Sequence, residues 1–478
     1  MKVILKGHDE TYAMSDIIKA FMPNEKIEYT DNFPEGDFVY SEVSEQNGEF
    51  VYYTKFSYDK KVYENTLAKE KYDKTYVKMS FNEIGKEVFG IILPWGLLTG
   101  IRPSKIVRTR VENGQSIDEV KNYFRNTYLV TEPKIDLVTK IAKKELEIIK
   151  NMRKDAVSLY VGIPFCPTRC LYCSFVSQSL RHAKTLVEPY LECLKKEIEY
   201  TADIVKKLGL GVETVYIGGG TPTTLSGSQL DFLLNSLFES FDLSGLQEFS
   251  VEAGRPDTIT YEKLNAIAKY PVDRLSINPQ TMNEKTLRKI GRNHSEKDVY
   301  DSLELAGKCG FDNINMDLIA GLPDETAEDF SNTLDKICEI NPKNVTVHTM
   351  CIKRTSYLSE KYDMYNITAS NTVNTMLNEA ISRMGALGKA PYYMYRQKNI
   401  LGNLENIGFS DKGYECLYNI YIMEEVQSIL AMGVGASSKL ITGDQTHKIY
   451  NVKEVYEYVT RIDEMLHRKD EVLDILGK

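Results

Sequence analysis

Three cysteines, Cys166, Cys170 and Cys173, lie in the run Tyr160-Val-Gly-Ile-Pro-Phe-Cys-Pro-Thr-Arg-Cys-Leu-Tyr-Cys173. Thiolates four and three residues apart can grip one iron-sulfur cube, and three ligands on four irons leave one iron open to chelate a small molecule. A cluster that only carries electrons is normally closed by a fourth cysteine. The spacing therefore points to catalysis at a metal cluster. Zinc is the rival, but structural zinc sites close with paired Cys-x-x-Cys or with histidines. The nearest histidine here, His182, stands alone. Disulfides are not expected, because 478 residues with 8 cysteines and no recognisable signal peptide read as a cytoplasmic chain whose thiols stay reduced.

The elements that must position these thiols follow from periodicity. From Ser158 onward, short β-rich runs alternate with amphipathic helical runs, the rhythm of a parallel sheet with crossover helices. Six strands are predicted, at Ser158–Phe165, Val212–Gly218, Glu248–Ala253, Arg274–Asn278, Asn313–Ile319 and Asn344–Met350. Ser226, Thr260, Ser295 and Thr326 stand where N-caps belong, the last two opening capping boxes with Asp298 and Asp329. Six βα units are too few for a closed eight-stranded barrel, so an α/β fold with an open, curved parallel sheet is expected. Sites in such assemblies form at the carboxyl ends of strands.

Around this core, residues 1–154 read as an N-terminal α+β domain with a hairpin turn at Asn47-Gly48. The barrel spans 155–367, and 368–478 read as a mostly helical C-terminal domain with a closing helix over 455–476. A hydrophobic fraction of 42% supports well-formed cores. No apolar run reaches the roughly 20 residues of a membrane span. The net charge of −9 argues against broad nucleic-acid binding and favours small substrates or protein partners.

The cysteine run resembles the signature of radical S-adenosylmethionine enzymes, and its lead-in resembles one family among them, the oxygen-independent coproporphyrinogen III oxidases. Gly218-Gly-Gly-Thr-Pro-Thr223, Arg274-Leu-Ser-Ile, Gln280, Arg292 and Asn315-Met-Asp-Leu-Ile-Ala-Gly-Leu-Pro323 are similar to that family's successive motifs, in its order. Pro94-Trp-Gly-Leu-Leu-Thr-Gly-Ile-Arg-Pro103 and Pro391-Tyr-Tyr-Met-Tyr-Arg-Gln-Lys-Asn399 resemble its HemZ-like branch.

The resemblance implies a partial (βα)6 barrel holding a 4Fe-4S cluster on Cys166, Cys170 and Cys173, with S-adenosyl-L-methionine on the open iron. Reductive cleavage of the sulfonium would give a carbon radical that abstracts hydrogen. Gly218, Gly219, Gly220 and Thr221 form a loop that lets backbone approach the methionine amino group. Glu252, at the end of an apolar strand, suits an ammonium. By resemblance Arg292 holds the methionine carboxylate, and Gln280 and Asp317 hold the ribose hydroxyls. Tyr160 is a candidate catalytic hydrogen-bonder near the cluster, and Cys351 a candidate beside the adenine.

The implied reaction is oxidative decarboxylation of propionates to vinyl groups, taking coproporphyrinogen III to protoporphyrinogen IX in anaerobic haem biosynthesis, with a reductant such as flavodoxin or ferredoxin. The alternatives are a haem-binding chaperone related to the family, or another radical enzyme on a tetrapyrrole that opens the ring or transfers a methyl. Two departures bear on substrate: Gly162 stands where family members carry a histidine, and Phe175 where they carry a fourth cysteine. Arg102, Lys105, Arg396 and Lys398 are candidates to meet propionates. His294 and His348, without a second ligand at useful spacing, read as structural histidines.

Overall fold

The computed structural model describes residues 1–23, 25–100, 102–175 and 177–477. Ile101, inside one of the branch-like runs, lies outside the described residues. Two compact units emerge, one of residues 1–140 with 396–405, the other of 141–395 with 406–478.

The first unit opens with β1 (Lys2–Lys6), α1 (Thr11–Phe21), β2 (Glu28–Tyr29), β3 (Phe38–Gln46), β4 (Glu49–Tyr58) and β5 (Lys61–Lys69). The sheet order is β2-β1-β3-β4-β5. Asn47 and Gly48 both take positive φ at the β3–β4 turn, as a tight hairpin requires. Helices α2 (Lys74–Phe89), α3 (Pro103–Glu112) and α4 (Ile117–Thr127) follow, and α5 (Glu132–Ile149) runs across the boundary at residue 140. The core gathers Ile17 and Phe21 of α1, Phe81 and Ile84 of α2, and Tyr52 and Phe56 of β4.

Arg396 belongs to this unit's interior. It is 3% exposed and donates to the carbonyls of Leu98, Gly100 and Asn403, with its guanidinium 5.2 Å over Trp95. That corrects the expectation that Arg396 meets a substrate propionate: its Nη1 and Nη2 donors are taken up by backbone, its buried Nε has no hydrogen-bond partner, and burial pushes its pKa down to about 10. Glu405, fully buried, accepts from Trp95 and from Lys134.

The second unit is built on β6 (Ala156–Ile163), β7 (Phe165–Cys166), β8 (Gln178–Ser179), α6 (Leu180–Ala183), α7 (Val187–Lys207), β9 (Gly211–Gly219), α8 (Gly227–Ser240), β10 (Glu248–Gly254) and α9 (Tyr261–Ile267). It continues through β11 (Arg274–Ile277), α10 (Glu284–Lys289), α11 (Glu296–Lys308), β12 (Ile314–Ala320), α12 (Ala327–Ile340) and β13 (Asn344–Thr349). The strands β6-β9-β10-β11-β12-β13 lie side by side in chain order and all parallel. Each is almost wholly buried, as strands covered on both faces must be. These are the six predicted strands, shifted by one or two residues. The first ends at Ile163 because Pro164 has no N–H to extend the ladder. Ser226, Thr260, Ser295 and Thr326 each accept the expected capping bond.

The C-terminal region keeps its helices, α13 (Tyr357–Glu360), α14 (Ser370–Ala386), α15 (Leu417–Glu424), α16 (Val455–Thr460) and α17 (Ile462–Leu476). It also adds strands that periodicity does not reveal: β14 (Ala390–Tyr395), β15 (Asn406–Ser410), β16 (Ile429–Met432), β17 (Ser437–Thr442) and β18 (Gln445–Tyr450). β15 pairs antiparallel with β13 and β16 pairs parallel with β6, so the sheet grows to eleven strands, β14-β15-β13-β12-β11-β10-β9-β6-β16-β17-β18, and stays open. The expected single closing helix is two, because Arg461 leaves helical geometry at φ −122°, ψ 26°. α15 is anchored through Glu248 at the start of β10, whose carboxylate accepts from Cys416 Sγ, Leu417 N and Tyr418 N.

Candidate functional site

Cys166 ends β7 and is 9% exposed; Cys170 is 8% exposed and Cys173 half-buried, and all three are free thiols. Burial pushes the Cys166 thiol up against a hydrogen bond from Thr221 that lowers it, and pushes Cys173 up to about 11. Among the described residues no three His, Cys, Asp or Glu side chains converge tightly enough for a single ion. A cube, gripped at separate corners, does not ask its thiols to meet at one point.

The glycine loop after β9 is fastened to the cysteine segment. Gly220 N donates to Ile163 O at 2.7 Å and Thr221 N to Phe165 O at 2.8 Å. The three glycines cannot be larger, each for its own reason. A Cβ on Gly218 would sit 3.0 Å from Glu252 Oε2, one on Gly219 (φ +108°) 2.9 Å from Ile163 O, and one on Gly220 2.6 Å from Phe165 O and 3.0 Å from Cys166 Sγ. Thr221 Oγ1 donates to Cys166 Sγ at 3.5 Å.

Next along the sheet, Glu252 of β10 accepts from Tyr216 Oη of β9. Burial raises its pKa to about 7, the Tyr216 bond opposes the rise, and the neighbouring Asp317 charge adds to it. Asp317 of β12 goes the other way. Burial would raise it, but the nearby His348 imidazole and the Asn315 amide outweigh burial and hold it below the ordinary carboxylate value. Asn315 Nδ2 stands 2.8 Å from Asp317 Oδ1, and His348 Nε2 of β13 stands 3.7 Å from Oδ2. The two carboxylates thus share one environment, with one held ionised and the other poised near neutrality.

Gln280 and Arg292 come to the same edge. Gln280 takes φ +69° after β11, where its N donates to Asp317 O and its O accepts from Ile319 N, bridging to β12. Arg292 Nη1 donates to Asn278 O at 2.6 Å. Both side chains are over nine-tenths buried, yet Gln280 Oε1 and Arg292 Nε have no hydrogen-bond partner. Orphaned buried polar atoms at a strand edge are uncommon and mark places for a ligand. The residues present therefore fit a small polar ligand with cationic and carboxylate groups beside a cluster.

The remaining expected residues are placed as follows. Tyr160 of β6 stacks in the sheet's interior on Tyr216 (centroids 6.3 Å) and Tyr418 (6.4 Å). Cys351 follows β13, with burial raising its thiol. Lys398 lies over the Tyr12 ring in the first unit. His348, expected to be structural, stands between Asp317 and Tyr395 Oη, the latter 3.2 Å from Nδ1. Its signal in the sequence was alternation: His348 shares a face of β13 with Thr346, which is in register with Asp317. Tyr216, two residues before Gly218, was missed for the same reason.

Comparison with known proteins agrees with this geometry. Residues 160–337 match the Radical SAM superfamily model. The chain is 40% identical over 393 residues to "Oxygen-independent coproporphyrinogen-III oxidase-like protein HemZ" of Bacillus subtilis (strain 168), covering 81% of this chain and 78% of that one. It is 34% identical to the heme chaperone HemW of Lactococcus lactis subsp. lactis (strain IL1403), over 59% of this chain and 69% of that one. Among solved structures, the coproporphyrinogen III oxidase HemN from Escherichia coli superposes with a TM-score of 0.53 at 26% identity, covering 67% of this chain and 72% of that one. The open sheet is the HemN-like partial barrel, and the chain belongs to the radical SAM superfamily, in the HemZ-like branch of the oxygen-independent coproporphyrinogen III oxidase family.

Proposed function

We propose that this chain is a radical S-adenosylmethionine enzyme that oxidatively decarboxylates propionate side chains of a tetrapyrrole of the coproporphyrinogen III type. The observation that carries the cofactor half of this reading is the orphaned, buried Gln280 Oε1 and Arg292 Nε, in a sheet whose neighbouring strands bring Glu252, held by Tyr216, and Asp317, beside His348, close enough for their charges to interact. Likeness to HemZ and HemN supports the substrate half.

When bound, a 4Fe-4S cluster with S-adenosyl-L-methionine supplies one-electron, hydrogen-abstracting chemistry. The chain's residues hold, orient and exclude. Cys166, Cys170 and Cys173 are the cluster ligands. Gly218 to Gly220 offer backbone where a side chain would obstruct, and Glu252 meets an ammonium, whose arrival favours the ionised carboxylate. Arg292 is free at Nε to engage a carboxylate, and Asp317, held ionised by His348 and Asn315, accepts from ribose hydroxyls together with Gln280 Oε1.

A second reading, haem chaperone, draws on two observations: the HemW relative is 34% identical, and Phe175 stands exposed where oxidases of this family resemble one another in a fourth cysteine. Anaerobic incubation with S-adenosyl-L-methionine, reductant and coproporphyrinogen III separates the two. The proposal expects substrate-dependent loss of two carboxyl groups by mass spectrometry. Stable haem binding with no such loss would replace it with the chaperone.

A further inference from the structure

Thr221 closes the glycine loop after β9 and is 1% exposed. Its backbone is fastened at both ends of the residue. Thr221 N donates to Phe165 O at 2.8 Å, and Thr221 O accepts from Thr224 N at 2.9 Å and from Thr224 Oγ1 at 2.7 Å. Its methyl lies against Gly254 at the end of β10, where even an added Cβ would stand only 3.4 Å from Thr221 Cγ2. A β-branched side chain is stiff at χ1, so seating the backbone and the methyl also decides where the hydroxyl points. It points at Cys166, and Thr221 Oγ1 donates to Cys166 Sγ at 3.5 Å.

Packing alone would be met by a valine of the same shape. What the hydroxyl adds in this buried position is a donor aimed at one sulfur. Bound to a cluster, that sulfur is a thiolate, with lone pairs and no proton, and it can only accept. An electron added to a cluster increases the negative charge on its sulfurs. A hydrogen bond strengthens as its acceptor becomes more negative, and more so in a low-dielectric interior. The bond from Thr221 is therefore stronger to the reduced cluster than to the oxidised one. The Ser177 hydroxyl and the Arg255 charge also favour negative charge on Cys166, each less than Thr221 does.

We propose that Thr221 sets the reduction potential of the cluster, its hydroxyl raising that potential through the hydrogen bond to Cys166. The electron comes from the external reductant and stays on the cluster. The proton stays on Thr221 Oγ1, and no covalent bond forms or breaks. In this role Thr221 acts through Cys166 and is a positioning residue. The inference goes beyond the proposed reaction and rests on the cluster reading above. It gives the loop a second task besides letting backbone approach a ligand, since hydrogen bonds to the sulfurs are among the means by which a protein tunes such a cluster.

A potentiometric titration followed by electron paramagnetic resonance tests this on the anaerobically reconstituted protein without S-adenosyl-L-methionine, with iron determined in every sample. Thr221→Val keeps the methyl against Gly254 and removes the donor, whereas Thr221→Ser keeps the donor and removes the methyl. The expected result is a Thr221→Val midpoint more negative than wild type by about tenfold in the reduction equilibrium, which is about 59 mV for one electron, with Thr221→Ser near wild type. Equal midpoints in Thr221→Val and wild type at equal iron content overturn the proposal. A Thr221→Ser midpoint as negative as that of Thr221→Val overturns it as well, since the shift would then follow packing. Should Thr221→Val take up less iron, Thr221→Ser and Thr221→Ala, which differ only in the hydroxyl, decide: a more negative midpoint in Thr221→Ala supports the proposal and equal midpoints overturn it. A wild-type protein that holds no reducible cluster overturns the cluster reading, and this inference with it.

Discussion

At the scale of single residues, the site is a matter of what has no room and what has no partner. Gly220 has no room: a methyl there meets a backbone carbonyl at 2.6 Å and Cys166 Sγ at 3.0 Å. Gly220→Ala is expected to destabilise by about 1–3 kcal/mol through overpacking and to lower the iron content after reconstitution. Gly307→Ala is the control, since a methyl there meets nothing within 4 Å inside α11; it is expected to stabilise by roughly 0.5–1 kcal/mol. Differential scanning calorimetry with iron determination on both variants checks this. Glu252 gives the ligand-binding prediction. Glu252→Gln removes a carboxylate suited to an ammonium, so S-adenosyl-L-methionine affinity measured calorimetrically should fall about tenfold or more, on the order of 1.5–3 kcal/mol for a charge-assisted bond. Unchanged affinity would remove Glu252 from the binding set.

At the scale of elements, the turn from β11 to α10 is held from behind. Thr281, next to Gln280, donates to Glu325 at the β12–α12 loop, and Glu325 is 3% exposed with its other oxygen unpartnered. Burial raises its pKa from 4.5 to about 8. The native state therefore keeps a proton that the unfolded chain gives up between those values. This contribution to stability is complete below about pH 4.5 and is lost as pH rises through 8. Glu325→Gln, neutral throughout, is expected to be more stable than wild type above pH 8, by on the order of 2–4 kcal/mol, with the advantage vanishing near pH 5. Urea denaturation at pH 5 and 9 measures it; equal midpoints at pH 9 would contradict the assignment. Elements of this kind were legible where their signals are local. The caps at Ser226, Thr260, Ser295 and Thr326 act within one turn of helix, and the six barrel strands announce themselves by apolar runs between helices. β16 was not legible, because four residues carry no usable period and its partner β6 lies over 260 residues earlier in the chain. The pairing of Asp317 with His348 was hidden likewise, since only strand register joins them.

At the scale of the whole molecule, sequence motifs report function unevenly. Motifs on the barrel converge on one edge, as the alternation of strands and helices led one to expect. The HemZ-like runs behave differently, for Arg396 turns out to be an internal fastener of the first unit, donating to three backbone carbonyls. An arginine in sequence carries no mark distinguishing a ligand site from a buried clamp; only its partners do. Arg396→Met is expected to destabilise this unit by about 3 kcal/mol or more, because it leaves buried carbonyls unpaired. Trp95, the chain's single tryptophan and 1% exposed, belongs to the same unit. Its fluorescence should therefore report a lower denaturation midpoint in the variant, and an unshifted midpoint would refute the clamp.

The most direct test of the central claim combines iron and sulfide analysis with electron paramagnetic resonance of the anaerobically reconstituted, reduced protein, with and without S-adenosyl-L-methionine, in wild type and Cys170→Ala. The account predicts about four irons per chain, a signal that changes when S-adenosyl-L-methionine is added, and loss of both the signal and cofactor cleavage in Cys170→Ala. Retained cleavage in Cys170→Ala, or a wild-type signal indifferent to S-adenosyl-L-methionine, would contradict it.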